Sequence, residues 1–249
     1  MNYNPNDIAY LKKYIKEHNL NEEYYNKCLK ELDKGKPIQY IIGEVNFYGY
    51  DFLVNENVLI PRYETELLVD LTIKKTKQLF MNKSVDIIDL GTGSGCIAIT
   101  LKKELDCNVD ALDISKKALN VAKCNAKLNK VDINFINSDM TEYVDKTYDV
   151  IISNPPYIAY DEDIMDIVKN NEPHEALYAD NNGLYFYEKI INNIPKLVKR
   201  EFLVCFEIGS TQSKSIIDIA KRTLKNINIS VQKDYSGLDR FIFITNINN

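Results

Sequence analysis

Residues 85–113 restrict the possible fold more than any other stretch. Val85-Asp86-Ile87-Ile88-Asp89-Leu90 is an apolar run of strand length, and it passes directly into Gly91-Thr92-Gly93-Ser94-Gly95. Residues 97–105 then carry helical spacing, and Val109-Asp110-Ala111-Leu112-Asp113 is a second apolar run. A strand, a glycine loop, a helix and a second strand form a βαβ unit, which implies a parallel sheet with right-handed crossovers. The alternation continues downstream. Ser115 is placed to cap a helix over 118–128, residues 133–136 predict a third strand, and Tyr148–Ser153 a fourth that ends at Asn154-Pro155-Pro156-Tyr157. An apolar run at 202–208, a helix at 214–224 and strands at 227–231 and 241–245 close the pattern. The expected fold class is α/β.

The upstream grammar differs. Two helices are expected between residues 7 and 32, stopping at Gly35 and Pro37, and a hairpin over 45–60 turning at Gly49. Pro61 ends the hairpin, and a helix with Leu67, Leu68 and Leu71 on one side follows. A length of 249 residues suits one large domain with a small companion. The expected division is a helical unit with its hairpin at 1–80 and an α/β domain at 81–249.

Composition narrows the function classes. The 31 basic and 36 acidic residues leave a net charge of -5, so long-range attraction to a polyanion is weak and no stable nucleic-acid partner is expected. No run approaches the roughly 18 apolar residues of a membrane helix, and the first residues resemble no secretory signal. A cytoplasmic location is the expectation. Cys28, Cys96, Cys107, Cys124 and Cys205 are odd in number and lack any CxxC pair, which fits neither a disulfide framework nor a zinc site. No metal is expected, and His18 and His174 offer little material for histidine chemistry.

The glycine spacing is GxGxG followed by Cys96, which is not the GxGxxG that seats a pyrophosphate on a helix N-terminus. Asp89 at the strand end suits a cofactor with an amino acid end and a sulfonium better than a dianionic phosphate. Asp113, at the tip of the next strand, is placed to accept hydrogen bonds from ribose hydroxyls. Taken alone, it could equally cap the following helix. Both acids fall at carboxyl ends of adjacent strands, where open α/β sheets bind ligands.

Asn154-Pro155-Pro156-Tyr157 falls on the same sheet edge. Its prolines fix φ and remove two N–H donors, leaving a rigid turn with carbonyl groups available. An amide or exocyclic amino nitrogen is a poor nucleophile because its lone pair is delocalised. A site helps by accepting both N–H hydrogens, here with the Asn154 side-chain oxygen and the Pro155 carbonyl, aiming the nitrogen as charge develops on it. Tyr157 offers a flat face to a planar target. The residues therefore point to methyl transfer from S-adenosylmethionine onto a planar nitrogen.

The chain resembles the HemK/PrmC family of protein-(glutamine-N5) methyltransferases, which modify the Gly-Gly-Gln loop of class-1 peptide release factors. The resemblance rests on residues 60–66 (Ile-Pro-Arg-Tyr-Glu-Thr-Glu), 89–95 and 153–157, on Glu172-Pro173 with Ala176-Leu177, and on residues 180–184, 206–209 and 234–240. The Ile-Pro-Arg segment separates it from DNA amino-methyltransferases, which share only Asn-Pro-Pro-Tyr. The resemblance implies a Rossmann-like, seven-stranded class I S-adenosylmethionine-dependent methyltransferase domain; a monomer is the expectation, though no residue fixes the oligomeric state. The resemblance also implies that the N-terminal unit helps to recognise the protein substrate. Asp89, Gly91, Thr92, Gly93, Ser94, Gly95 and Asp113 would bind the cofactor, with Met140 by the adenine. Asn154 would touch cofactor and glutamine, and Pro155, Pro156 and Tyr157 would complete the pocket. Tyr63 stands where the family usually has proline, and Lys199-Arg200-Glu201 replaces a usual glycine turn.

Two competing readings are an adenine N6-methyltransferase acting on DNA or RNA and a non-catalytic cofactor-binding scaffold. Against the first stands the acidic balance; against the second, the intact Asn-Pro-Pro-Tyr. Glu172 and His174 lie in a long segment that reads either as a lid or as a solvated loop. Arg62 reads either as a substrate-steering cation or as half of a surface ion pair.

Overall fold

The computed structural model describes residues 3–81, 83–140, 142 and 146–247; Met1 and Asn249, the outer limits of the expected division, lie outside them. Helix α1 (Pro5–Glu17) begins where the Asn4 side chain accepts from Asn6 N, and α2 (Glu22–Asp33) where Asn21 accepts from Tyr24 N. Each cap satisfies a donor that a first helical turn leaves free. With α3 (Ile38–Ile42), too short to leave a periodic signal, they enclose a small core around Leu11, Cys28 and Ile38.

Strands β1 (Glu44–Phe47) and β2 (Tyr50–Leu53) pair antiparallel. Tyr48 and Gly49 both adopt positive φ, 53° and 81°, the two-residue geometry that matches strand twist. The paired strands stop at Leu53, short of the expected residue 60. Beyond it, Val54, Val58 and Ile60 pack with Tyr40, Ala118 and Val121 rather than extending the ladder.

The remaining elements are α4 (Tyr63–Leu79), β3 (Val85–Leu90), α5 (Cys96–Glu104), β4 (Cys107–Asp113), α6 (Lys116–Leu128) and β5 (Asn134–Asn137). After these come β6 (Tyr148–Ser153), α7 (Asp166–Asn171), a short turn α8 (Asp180–Gly183) and α9 (Tyr185–Leu197). The chain closes with β7 (Val198–Glu207), α10 (Ser213–Thr223), β8 (Asn228–Lys233) and β9 (Asp239–Thr245). Seven strands form one sheet in the order β5-β4-β3-β6-β7-β9-β8, parallel except for β9, which runs against both its neighbours.

Strands covered on both faces need apolar residues on both, and β3 supplies them alternately. Val85 and Ile87 join Leu68, Val69 and Ile73 of α4 and Ile99 of α5 in one core. Ile88 and Leu90 join Ile190 and Ile194 of α9 and Ile216 and Ile219 of α10 in the other. Each fully buried Ile or Leu contributes about 1.5–3 kcal/mol, so these two layers dominate stability. Helix α4 thus packs on the sheet, and the hairpin's Phe47 and Phe52 share its core. Helix α9 was not anticipated: Pro195 lies inside it and masks a stripe of Tyr187, Ile190, Ile191 and Ile194, all fully buried. No helix among the described residues is long and apolar enough to cross a membrane.

Candidate active site

Strands β3 and β6 are hydrogen-bonded neighbours, yet the chain leaves them in opposite directions, β3 toward β4 and β5, β6 toward β7. Such a switch point opens a crevice beyond the carboxyl ends of the two strands. The glycine loop follows β3 and Asn154-Pro155-Pro156-Tyr157 follows β6, so both fall at that crevice. The Ser153 hydroxyl donates to Leu90 O at 2.6 Å and fixes the two strand ends together.

The loop is held from three sides. Thr92 Oγ1 donates to Asp89 Oδ2 at 2.6 Å, Gly93 N donates to Asp113 Oδ2 at 2.8 Å, and Asn125 Nδ2 donates to Ser94 O at 2.8 Å. The fully buried Asn125 also exchanges hydrogen bonds with both Leu53 N and Leu53 O, joining the hairpin to the loop. Nothing in the sequence marked it. Asp113 Oδ1 accepts from Ser115 N, and Ser115 caps α6 through Ala118 N. The acid therefore organises the loop and the helix start at once.

These residues fit a nucleoside–amino acid cofactor. At Gly93, φ is +55° and a Cβ would meet nothing within 4 Å, so the loop presents bare backbone to open space. At Gly91 a Cβ would stand 2.6 Å from the Met140 methyl, which lies over the loop. Asp113 remains partly exposed, and a carboxylate holding two N–H donors keeps lone pairs for two hydroxyls. Asp89 is fully buried behind the loop, and burial lifts its carboxyl to about 7. Thr92 Oγ1 bonds one of its oxygens, and the Ala98 N–H at the start of α5 faces the carboxylate.

At the β6 end, Pro155 and Pro156 are buried while Asn154 and Tyr157 are partly exposed. Asn154 Nδ2 donates to Thr65 Oγ1 at 3.1 Å, and Thr65 Oγ1 donates to Glu207 Oε2 at 2.7 Å. Burial lifts the Glu207 carboxyl to about 7, against the Thr65 hydrogen bond. Tyr157 O accepts from Gln212 Nε2 at 2.9 Å, and Gln212 Oε1 accepts from Gly209 N. Gly183 lies so close beneath that a Cβ would reach within 2.0 Å of Tyr157 O. Thr65, Glu207 and Gln212 had no role assigned from sequence. The first two lie in segments 60–66 and 206–209 that carried the resemblance, which was the available signal.

Glu172 is not solvated: it is buried, accepting from Ile60 N at 3.1 Å and pairing with Arg62. His174 is exposed, its ring edge-on to Tyr178.

Fold and crevice together define a Rossmann-like class I S-adenosylmethionine-dependent methyltransferase, and residues 65–177 match the family described as Methyltransferase small domain. Many solved structures share the fold. The ribosomal protein L11 methylase from Lactobacillus delbrueckii subsp. bulgaricus has TM-score 0.55 and 22% identity over 74% of this chain and 78% of that one. A methyltransferase from Pyrococcus furiosus has TM-score 0.58 and 17% identity over 80% and 89%. Sequence relatives are nearer. The release factor glutamine methyltransferase of Bacillus subtilis (strain 168) is 41% identical over 229 residues, covering 89% of this chain and 80% of its own. That of Flavobacterium psychrophilum is 42% identical over 234 residues, covering 92% and 82%. The chain belongs to the release factor glutamine methyltransferase family.

Proposed function

We propose that this protein transfers the methyl group of S-adenosylmethionine to the side-chain amide nitrogen (N5) of the glutamine in the Gly-Gly-Gln motif of class-1 peptide chain release factors, in support of translation termination. The observation that carries this reading is the state of Asn154. Its NH2 end is committed to Thr65, so its Oδ1 is left to accept from an amide nitrogen beside the glycine loop. The 41% identity to the B. subtilis release factor glutamine methyltransferase supports the substrate.

When bound, the cofactor supplies a methyl group made electrophilic by its sulfonium. In this reading Gly91, Thr92, Gly93, Ser94 and Gly95 cradle its amino acid end, with Asp89 acting from behind the loop. Asp113 receives the ribose hydroxyls and Met140 flanks the adenine. Asn154 Oδ1 and the Pro155 carbonyl accept the two glutamine N–H groups, which aims the nitrogen and disperses the positive charge forming on it. Pro156 and Tyr157 wall the pocket. The alkylated nitrogen is strongly acidic and releases its extra proton to water, so no group of the chain must act as a base beforehand.

Within the helical unit and hairpin expected at 1–80, helices α1–α3 serve in recognition of the protein substrate, a role supported by their separate core, whereas α4 and the hairpin's Phe47 and Phe52 belong to the core of the sheet. The protein acts as a monomer in the cytoplasm, where release factors work. The test is incubation with labelled S-adenosylmethionine and, in separate reactions, a class-1 release factor, DNA or RNA. One methyl on the loop glutamine, lost in Asn154→Ala, is the expected result. Label on adenine would overturn the substrate.

A further inference from the structure

Asn154, Thr65 and Glu207 come from three elements, the turn after β6, the first turn of α4 and the end of β7, and meet in one line of hydrogen bonds. Thr65 is 3% exposed and Glu207 2%, so bulk water does not substitute for either partner. We propose that Thr65 and Glu207 are positioning residues of the transfer reaction, fixing which end of the Asn154 side-chain amide faces the substrate. The inference rests on the reading of Asn154 given above.

A side-chain amide has nearly the same shape either way round, with an accepting oxygen and a donating nitrogen. An ionised carboxylate only accepts, so Thr65 must direct its single hydroxyl hydrogen to Glu207. What Oγ1 then offers Asn154 is a lone pair, which only the NH2 end of Asn154 satisfies. The amide is locked with Oδ1 free, the one orientation that accepts hydrogen from a glutamine NH2. With Glu207 protonated, the line runs backwards. Glu207 donates to Thr65, Thr65 donates to Asn154, and the amide turns its NH2 toward the substrate's NH2, donor against donor.

The groups facing Glu207 are Arg240 on β9, Arg62 just before α4, Glu64 within it, Tyr157 after β6, Tyr187 on α9 and Cys96 on α5. The two arginines favour the carboxylate and Glu64 opposes it. Burial leaves the group titrating at about 7, where the direction of the line changes within the working range.

The experiment measures methyl transfer to a class-1 release factor against pH, with S-adenosylmethionine affinity measured by calorimetry on each variant. Thr65→Val keeps the shape and removes the hydroxyl. It is expected to lower kcat roughly 10- to 100-fold, as a misaimed contact does, while KM for the release factor and the cofactor Kd stay within about twofold. Thr65→Ser restores most of kcat. Wild-type kcat rises with pH through about 7, and Glu207→Gln, lower throughout, loses that limb. A Thr65→Val enzyme at wild-type kcat, or a Glu207→Gln enzyme with the wild-type limb, overturns the proposal. If Asn154→Ala transfers methyl at the wild-type rate, the underlying reading of Asn154 falls and the relay falls with it. If Asn154→Ala is inactive while Thr65→Val and Glu207→Gln match the wild type, only the relay falls.

Discussion

Arg62 and Glu172, 110 positions apart, form an ion pair in which the carboxylate is buried and the guanidinium about one third exposed. Glu172 Oε2 also accepts from Ile60 N, so one carboxylate fixes the strap between hairpin and α4 to the segment that follows the Asn-Pro-Pro-Tyr turn. Removing the arginine leaves a buried charge without its partner. Arg62→Met is expected to cost about 3 kcal/mol in urea unfolding, the low end for buried pairs because Arg62 is partly solvated. Arg62→Met combined with Glu172→Gln should recover part of that loss. A single-variant cost below about 0.5 kcal/mol, typical of a surface pair, would contradict this assignment.

Tyr63 opens α4 and is 81% exposed, and Arg62 before it is already extended at φ -104° and ψ 154°. A first helical residue gives no N–H to the helix, and an extended predecessor accommodates proline. Tyr63→Pro is therefore expected to raise stability by about 0.4–1 kcal/mol through a stiffer unfolded chain, read from the denaturant midpoint.

Gly183 and Gly237 share φ +78° but differ in surroundings. A methyl at Gly237 meets nothing within 4 Å, so Gly237→Ala should cost about 1–2 kcal/mol of backbone strain and leave turnover unchanged. At Gly183 the same methyl collides with Tyr157 O. Gly183→Ala is expected to cost more than that strain and also to lower kcat, because the Tyr157 backbone must move. Equal effects at the two sites would refute the distinction.

Gly93 presents open space on a loop read as the cofactor cradle. Gly93→Ala should fold, losing about 1–2 kcal/mol for its φ of +55°, yet weaken S-adenosylmethionine binding at least tenfold in calorimetry. Unchanged affinity would remove Gly93 from the cradle.

Burial raises the carboxyl groups of Asp89, Asp113 and Glu207, the first and last to about 7. Once unfolded, these groups give up their protons near pH 4, whereas the folded chain holds them longer. The folded state binds more protons in between, so stability present below about pH 4 is lost as pH rises toward 7, by a few kcal/mol in order of magnitude. Asp234, held below the usual carboxylate range chiefly by Leu238 N–H, acts only at the acid end, where its contribution disappears as pH falls below about 4. Urea midpoints of the cofactor-free protein between pH 4.5 and 7.5 should fall, and Glu207→Gln should make the slope shallower. A rising midpoint would exclude the raised values.

The strand–loop–helix unit at 85–105 and the strand that runs into Asn154 were legible because their signals are local: short apolar runs, glycine spacing and paired prolines. Thr65 and Glu207 were not, since their hydrogen bond spans 142 positions and neither residue is unusual among its neighbours. Asn125 read as one more polar position on an amphipathic helix, and only the folded hairpin reveals that it is buried against Leu53. Glu172 stayed open between lid and solvated loop in the sequence, because burial of a carboxylate depends on a cation that arrives from 110 residues away.

Strand β9 lies between β7 and β8, so β8 reaches the rest of the sheet only through a strand made after it. While the chain is being synthesised, the outer edge of β7 stays unpaired and β8 has no docking place until residues 239–245 have left the ribosomal tunnel. An unpaired edge is a template for the wrong partner, so a nascent chain that has exposed β7 but not yet β9 is open to aggregation. The seven-stranded sheet thus stays incomplete until β9 is free to pair with both of its neighbours.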